Sequence, residues 1–171
     1  HGGAMLVDSH EGKGTVIRVS LPAVCAPADA DDHAEVSSVF VDGRGLVALV
    51  IDDEPQVRLT TAGFLRLCGF DVIEVSSGEE GLEVVGGGRH DVALVVLDGQ
   101  MPGLSGEETL VAIHARQPKL PALFYSGYDI ASVRERMSDH QYVQFLEKPF
   151  TMETFCRQLA KLEPCFRPAS T

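Results

Sequence analysis

The chain has 171 residues, 44% of them apolar and 23% charged, the proportions of an ordinary soluble globular protein. A net charge of −11 argues against a nucleic-acid-binding surface, which needs clustered Lys and Arg. No uncharged apolar run is long enough to span a membrane, the first residues lack a signal-peptide pattern, and Cys25, Cys68, Cys156 and Cys165 have no metal-ligand spacing, so the expectation is a cytoplasmic protein with reduced thiols.

His1 to Pro22 contains two short strand-like runs, Ala4–Val7 and Thr15–Leu21, separated by the turn-rich stretch DSHEGKG. The second run alternates strictly, as a half-buried strand does. A lone hairpin is marginal in water, so this piece is expected to belong to a larger sheet. Residues 23–45 come next, dominated by Ala, Pro, Asp and Ser with APADADD at the centre, and read as a linker. Within it Val39-Phe40-Val41 is an apolar island that either docks on the domain after it or is exposed.

From Leu46 the pattern changes to alternating strands and helices. A strand over 46–51 leads to a helix beginning at Pro55, a residue favoured at the first helical position, and ending at Gly69. A strand over 70–75 precedes a helix from Ser77 to about Val85, terminated by three glycines. The run over 92–97 ends on Asp98. Ser105-Gly106-Glu107-Glu108 then resembles a helix N-terminus with acidic residues in its first turn. That helix closes before Pro118. A strand over 121–125 ends at Ser126, and a more polar helix spans about 129–138. The run over 142–146 ends at Glu147-Lys148-Pro149, and a last helix runs from Thr151 to about Leu162, stopped by Pro164. Five strand–helix units in succession predict a doubly wound parallel sheet, because each parallel connection needs a crossover helix.

In an open parallel sheet the carboxyl ends of the strands share the edge where ligands bind. Asp52, Asp53, Asp98, Ser126 and Lys148 all fall at such ends. Each also has an ordinary reading: helix capping for Asp52 and Asp53, a loop carboxylate for Asp98, a turn former for Ser126, a solvated charge for Lys148. Together they suggest a cation-dependent phosphoryl site. Adjacent acids repel unless neutralised, and a hard divalent cation with oxygen ligands does that. A carboxylate such as Asp98 can act as a nucleophile and form an acyl phosphate. Lys148 precedes a proline, which favours extended geometry and admits a cis bond.

VIDDEPQVR, VSSGEEGLE, VVLDGQMPGLSGEE, YSGY and FLEKPF carry a resemblance to the receiver domain of two-component response regulators, covering Leu46 to Glu163. The D-x-x-MP-x-x-x-G pattern and the KPF after the last strand are its most specific elements. The resemblance implies a flavodoxin-like sheet of strand order 2-1-3-4-5. It makes Asp98 the acceptor of phosphate from a histidine, with Mg²⁺ or Mn²⁺ held by Asp53 directly, by Asp52 through water, by Asp98, and by the Gln100 backbone carbonyl. Ser126 would be the hydroxyl that moves onto the phosphate, Lys148 its ion-pair partner, and Phe145 the aromatic whose burial follows the hydroxyl, beside its plain reading as core. Tyr128, two residues beyond Ser126, would restrict the attacking water.

HGGAMLVDSHEGKGTVIRVSLP resembles the last strands of a histidine kinase ATP-binding domain. The ATP-contacting asparagine and glycine-rich boxes of that family are absent, so the expectation is no ATP binding and no kinase activity in this fragment. The domain reading is therefore 1–22 kinase remnant, 23–45 linker, 46–164 receiver and 165–171 tail, from a hybrid sensor histidine kinase. Expected partners are the phosphohistidine domain of the same polypeptide and a histidine phosphotransfer protein, with output through protein contacts. Rival readings are a non-phosphorylated receiver-fold interaction module and a free-standing aspartyl phosphatase. The phosphatase would need a second acid two residues past Asp98, where Gln100 stands.

Overall fold

Runs of Val, Leu, Ile and Phe without interior charge have two faces to bury, and in the computed structural model they do so as one parallel sheet covered on both sides. Residues 4–10, 12, 14–20, 41–88, 90–127, 130–137 and 140–166 are described. They fall into two units divided between Ser37 and Ser38. The first contains an antiparallel hairpin of β1 (Ala4–His10) and β2 (Gly14–Ser20), with Met5, Leu6, Val7, Val16 and Ile17 exposed on it. Gly12 and Gly14 take positive φ at its turn, as the glycine-rich sequence requires.

The second unit runs β3 (Val47–Ile51), α1 (Pro55–Leu67), β4 (Asp71–Val75), α2 (Gly78–Gly86), β5 (Val92–Asp98), α3 (Gly106–Arg116), β6 (Ala122–Ser126), α4 (Ile130–Arg136), β7 (Val143–Glu147), α5 (Met152–Ala160) and α6 (Glu163–Phe166). The sheet order is β4-β3-β5-β6-β7 with every pairing parallel, which is the expected 2-1-3-4-5 arrangement. Side chains alternate across the sheet. Ala48, Val50, Leu94, Val96 and Leu123 pack with Ala62 and Leu65 of α1 and Phe155 and Leu159 of α5. Leu49, Ile51, Val95, Leu97 and Phe124 pack with Val85 of α2, Leu110 and Ile113 of α3, and Val133 of α4. Each fully buried Val, Leu, Ile or Phe among them contributes about 1.5–3 kcal/mol.

Helix starts differ from the sequence reading by one residue where a side chain caps from outside. Ser77 and Thr151 stand before α2 and α5 and accept from the backbone N–H groups of Glu80 and Thr154. Ser105 and Glu108 complete a reciprocal capping box on α3. Pro164 does not end the helical region. It sits in the first turn of α6, where no N–H is needed, and the short helix carries Phe166 against Phe70 with ring centroids 5.6 Å apart. Val41 is also in the core, and Gly43 lies so close to Phe70 that a Cβ there would fall 2.1 Å from its ring. The packed body therefore takes in Phe166 and also Val41, the docked alternative for the apolar island, of which Val39 and Phe40 lie outside the described residues.

Cys68, Cys156 and Cys165 are free thiols; Cys68 Sγ and Cys156 Sγ lie 3.8 Å apart, and burial pushes the Cys68 thiol up to about 12. Among the described residues no helix is long and apolar enough to cross a membrane.

In the last turn of α3, His114 is buried. Its Nε2–H donates to the Leu120 carbonyl (2.9 Å), which leaves Nδ1 to accept from His140 Nδ1–H at 2.8 Å. Burial lowers the His114 pKa first, and the neighbouring His140 adds to it; the Leu120 carbonyl opposes them. A histidine with a lowered folded pKa contributes stability above its unfolded value of about 6.5, lost as pH falls through the folded value. The stability that wild-type His114 adds over His114→Gln should shrink as pH drops from 7.5 to 5.5, read as a narrowing difference in melting temperature between the two proteins. Identical pH profiles for the two proteins would refute the assignment.

Candidate functional site

The parallel register brings four strand ends to one edge. β3 runs into Asp52 and Asp53, β5 ends on Asp98, β6 ends on Ser126, and β7 is followed by Lys148. In register, Asp98 pairs with Tyr125 and Ser126 with Glu147. Asp52, Asp53 and Asp98 each offer a carboxylate oxygen, all within 4.8 Å of one another. Asp52 and Asp98 are buried and Asp53 is exposed, so the cluster opens to solvent on the Asp53 side.

Lys148 enters from the fourth strand. Its Nζ lies 3.0 Å from Asp98 Oδ1 and 3.7 Å from Asp52 Oδ2. Its backbone N–H donates to the Ser126 carbonyl at 2.9 Å, which ties the lysine to the end of β6. The Lys148–Pro149 bond is cis. Ser126 is 2% exposed at the same edge. Burial raises the Asp98 pKa above the ordinary carboxylate range. The Lys148 hydrogen bond and charge oppose that shift, Asp52 adds to it, and a hydrogen bond from the Gln100 backbone lowers it slightly.

The loop after Asp98 is held closely. Met101 is buried, and the Leu104 N–H donates to Glu79 of α2 at 3.2 Å. Gly106, the glycine of D-x-x-MP-x-x-x-G, opens α3 directly against the chain leaving Asp98: an added Cβ would sit 2.1 Å from the Asp98 carbonyl oxygen and 2.8 Å from Gly99 Cα. Both are backbone atoms and cannot rotate away. Gly106→Ala should lower the unfolding free energy by about 2–3 kcal/mol, measured by urea denaturation. A change under about 0.5 kcal/mol, the usual range for a neutral surface substitution, would show the close approach to be unimportant.

Two acceptors of Asp52 are engaged within the protein. Oδ1 accepts the Glu54 N–H at 2.7 Å, a turn bond just before α1 rather than the expected helix cap, since Glu54 is the N-cap and no side chain caps that helix; Oδ2 accepts from the Tyr125 hydroxyl at 2.6 Å. Arg58 of α1 donates to the Asp52 backbone carbonyl at 2.6 Å. Tyr125 escaped the sequence reading because it lies inside an apolar run. The available signal was chemical: a tyrosine in a strand buried on both faces must find a partner for its hydroxyl. Phe145 is buried in β7 with its ring 5.9 Å from that of Phe124 and the Arg134 guanidinium 5.6 Å above it. Tyr128 lies outside the described residues.

Three carboxylates against one ammonium leave excess negative charge in a partly buried space lined by hard oxygen donors. That donor set fits a Mg²⁺-like cation that keeps some of its water.

The model of the family described as "Response regulator receiver domain" matches residues 48–160. The sensor kinase CckA of Brucella abortus is 31% identical over 159 residues, covering 89% of this chain and 17% of that protein. The sensor histidine kinase AtsR of Burkholderia thailandensis is 34% identical over 155 residues, 86% of this chain and 25% of its own length. The chain thus spans a quarter or less of these curated relatives. Among solved structures, the receiver domain from the hybrid histidine kinase CckA superposes with a TM-score of 0.57 at 28% identity, covering 68% of this chain and 97% of that one. The response regulator TrrA of Thermotoga maritima, in complex with Mg²⁺ and BeF, gives 0.60 at 26% identity, covering 68% and 98%.

Proposed function

We propose, from the premise that this chain belongs to the response regulator receiver domain family, that Asp98 accepts a phosphoryl group from a phosphohistidine with a divalent cation bound beside it. The observation that carries this reading is the meeting of three carboxylates within 4.8 Å, with Lys148 Nζ 3.0 Å from Asp98 Oδ1. An Asp98 carboxylate oxygen attacks phosphorus, the phosphorus–nitrogen bond breaks, and the imidazole leaves with the electron pair. The site bears two further acids, so the approach of an anionic donor needs a cation, Mg²⁺ or Mn²⁺, to screen charge on the phosphoryl oxygens. Asp53 is the exposed member and would ligate it directly, Asp52 through water, Gln100 by its carbonyl. Lys148 follows the charge as it moves from carboxylate to phosphoryl group, and the Ser126 hydroxyl donates to a phosphoryl oxygen. Phe145 then reports the shift of Ser126 towards α4.

The relatives support a hybrid kinase setting. Three sensor kinases match 86–94% of the chain, well beyond the receiver, whereas three regulatory proteins match 58–71%. On this reading residues 1–22 close the ATP-binding domain of a sensor kinase, which accounts for apolar side chains exposed on both strands of the hairpin. Residues 23–45 link it to the receiver, 165–171 form a tail, and the protein works in the cytoplasm. The phosphodonor is the histidine of the same polypeptide, and a histidine phosphotransfer protein is the onward acceptor. An interaction module that keeps the fold without the chemistry would have lost an acid, the hydroxyl or the lysine, and all are present. Incubation with Mg²⁺ and a small acyl phosphate should add one phosphoryl group, and EDTA should prevent it. Labelling that survives Asp98→Asn would overturn the reading.

A further inference from the structure

A phenylalanine at position 125 would fill the same core space, so the Tyr125 hydroxyl calls for its own explanation. The residue is completely buried, its ring is 5.4 Å from that of Phe150, and it belongs to the cluster that also contains Phe155. Desolvating a phenol without a partner is costly, and here the partner is a carboxylate that is itself fully buried. The 2.6 Å separation is that of a charge-assisted O–H···O⁻ bond. The same Asp52 oxygen lies 3.7 Å from Lys148 Nζ, which in turn sits 4.8 Å from the centroid of the Tyr125 ring. Phenol and ammonium together compensate Asp52 from inside the protein.

A hydrogen bond to a carboxylate is strongest when the carboxylate carries its full charge. A cation at the site draws that charge towards itself and weakens the bond. The phenol therefore stabilises the cation-free cluster more than the cation-bound one, and by linkage it must lower the affinity for the cation. We infer that Tyr125 is a positioning residue whose hydroxyl holds Asp52 in its cation-free state and so raises the divalent-cation concentration at which Asp98 becomes competent. This rests on the proposed cation site of Asp52, Asp53 and Asp98.

The test is a Mg²⁺ titration of the full chain and its Tyr125→Phe variant, followed by thermal stability and by tyrosine near-ultraviolet absorption. Tyr125→Phe should move the Mg²⁺ midpoint about three- to tenfold lower. In the wild type, Mg²⁺ should perturb the tyrosine band, and that perturbation should vanish in the variant although two of the three tyrosines remain. An equal or higher midpoint in Tyr125→Phe, or a wild-type band unmoved by bound Mg²⁺, overturns the inference alone. A wild type whose stability ignores Mg²⁺, matching Asp53→Asn, overturns the cation site and the inference with it. Should the variant fail to fold, the wild-type absorption change still decides.

Discussion

Asp98→Asn should reduce phosphoryl uptake from a small acyl phosphate to background, a loss of about a thousandfold or more, while making the cation-free protein more stable. The first effect follows from replacing a carboxylate nucleophile by an amide that cannot form an acyl phosphate. The second follows from the electrostatics. Burial outweighs Lys148 at Asp98 and raises its pKa, so the folded protein binds that proton more tightly than the unfolded chain does. Stability is then lost as pH rises through the folded value, and at neutral pH the ionised carboxylate is a liability. An amide of the same shape removes it, leaving Lys148 paired to Asp52. The gain should show as a higher melting temperature for Asp98→Asn than for the wild type at neutral pH. Intact mass reads the uptake and calorimetry in EDTA the stability. A variant that is phosphorylated, or that melts below the wild type at neutral pH, contradicts the assignment of Asp98 as a strained nucleophile.

A carboxylate that destabilises the fold in the absence of a cation fits a functional site rather than a structural ion pair. How much of this was legible in the sequence depends on range. The run VALVVLD announces a buried strand with an acid at its end, because burial of both strand faces is a local property of the pattern. The meeting of Asp52, Asp98 and Lys148 was legible at one remove, since parallel strands must end at a common edge. The contacts of Tyr125 and Phe166 were not, and for Val41 the sequence left docking and exposure open. Tyr125 meets Asp52 across 73 positions of chain, and nothing in ALFYS tells which acid its hydroxyl reaches. Val41 and Phe166 share a core cluster with Phe70, whose ring meets that of Phe166 across nearly a hundred positions of chain, and such a partner is not written in a local pattern. The capping serines and threonine shifted helix starts by one residue for a simpler reason: the cap is sequence-adjacent but conformationally outside the helix.

Lys148→Met should act in the opposite sense to Asp98→Asn and depend on the cation. The ammonium lies within 4 Å of two buried carboxylates and is itself 24% exposed. Truncating one partner of a buried pair leaves the others uncompensated, a loss of about 3–5 kcal/mol where water is fully excluded. Here the cluster opens to solvent at Asp53, and the expected loss in EDTA is about 1–3 kcal/mol. Saturating Mg²⁺ should recover most of it, because a cation among the same oxygens takes over the neutralisation, and ligand binding to the folded state alone is stabilising by mass action. The two substitutions share a contact and should not be additive: in an Asp98→Asn background, Lys148→Met should cost about 1 kcal/mol less than in the wild type. Urea denaturation of the four proteins, in EDTA and in Mg²⁺, closes the cycle. If the Lys148→Met penalty is unchanged by Mg²⁺, the lysine and the cation do not serve the same charges. If it is unchanged by Asp98→Asn, the 3.0 Å ion pair carries no energy of its own and the lysine's partner is Asp52.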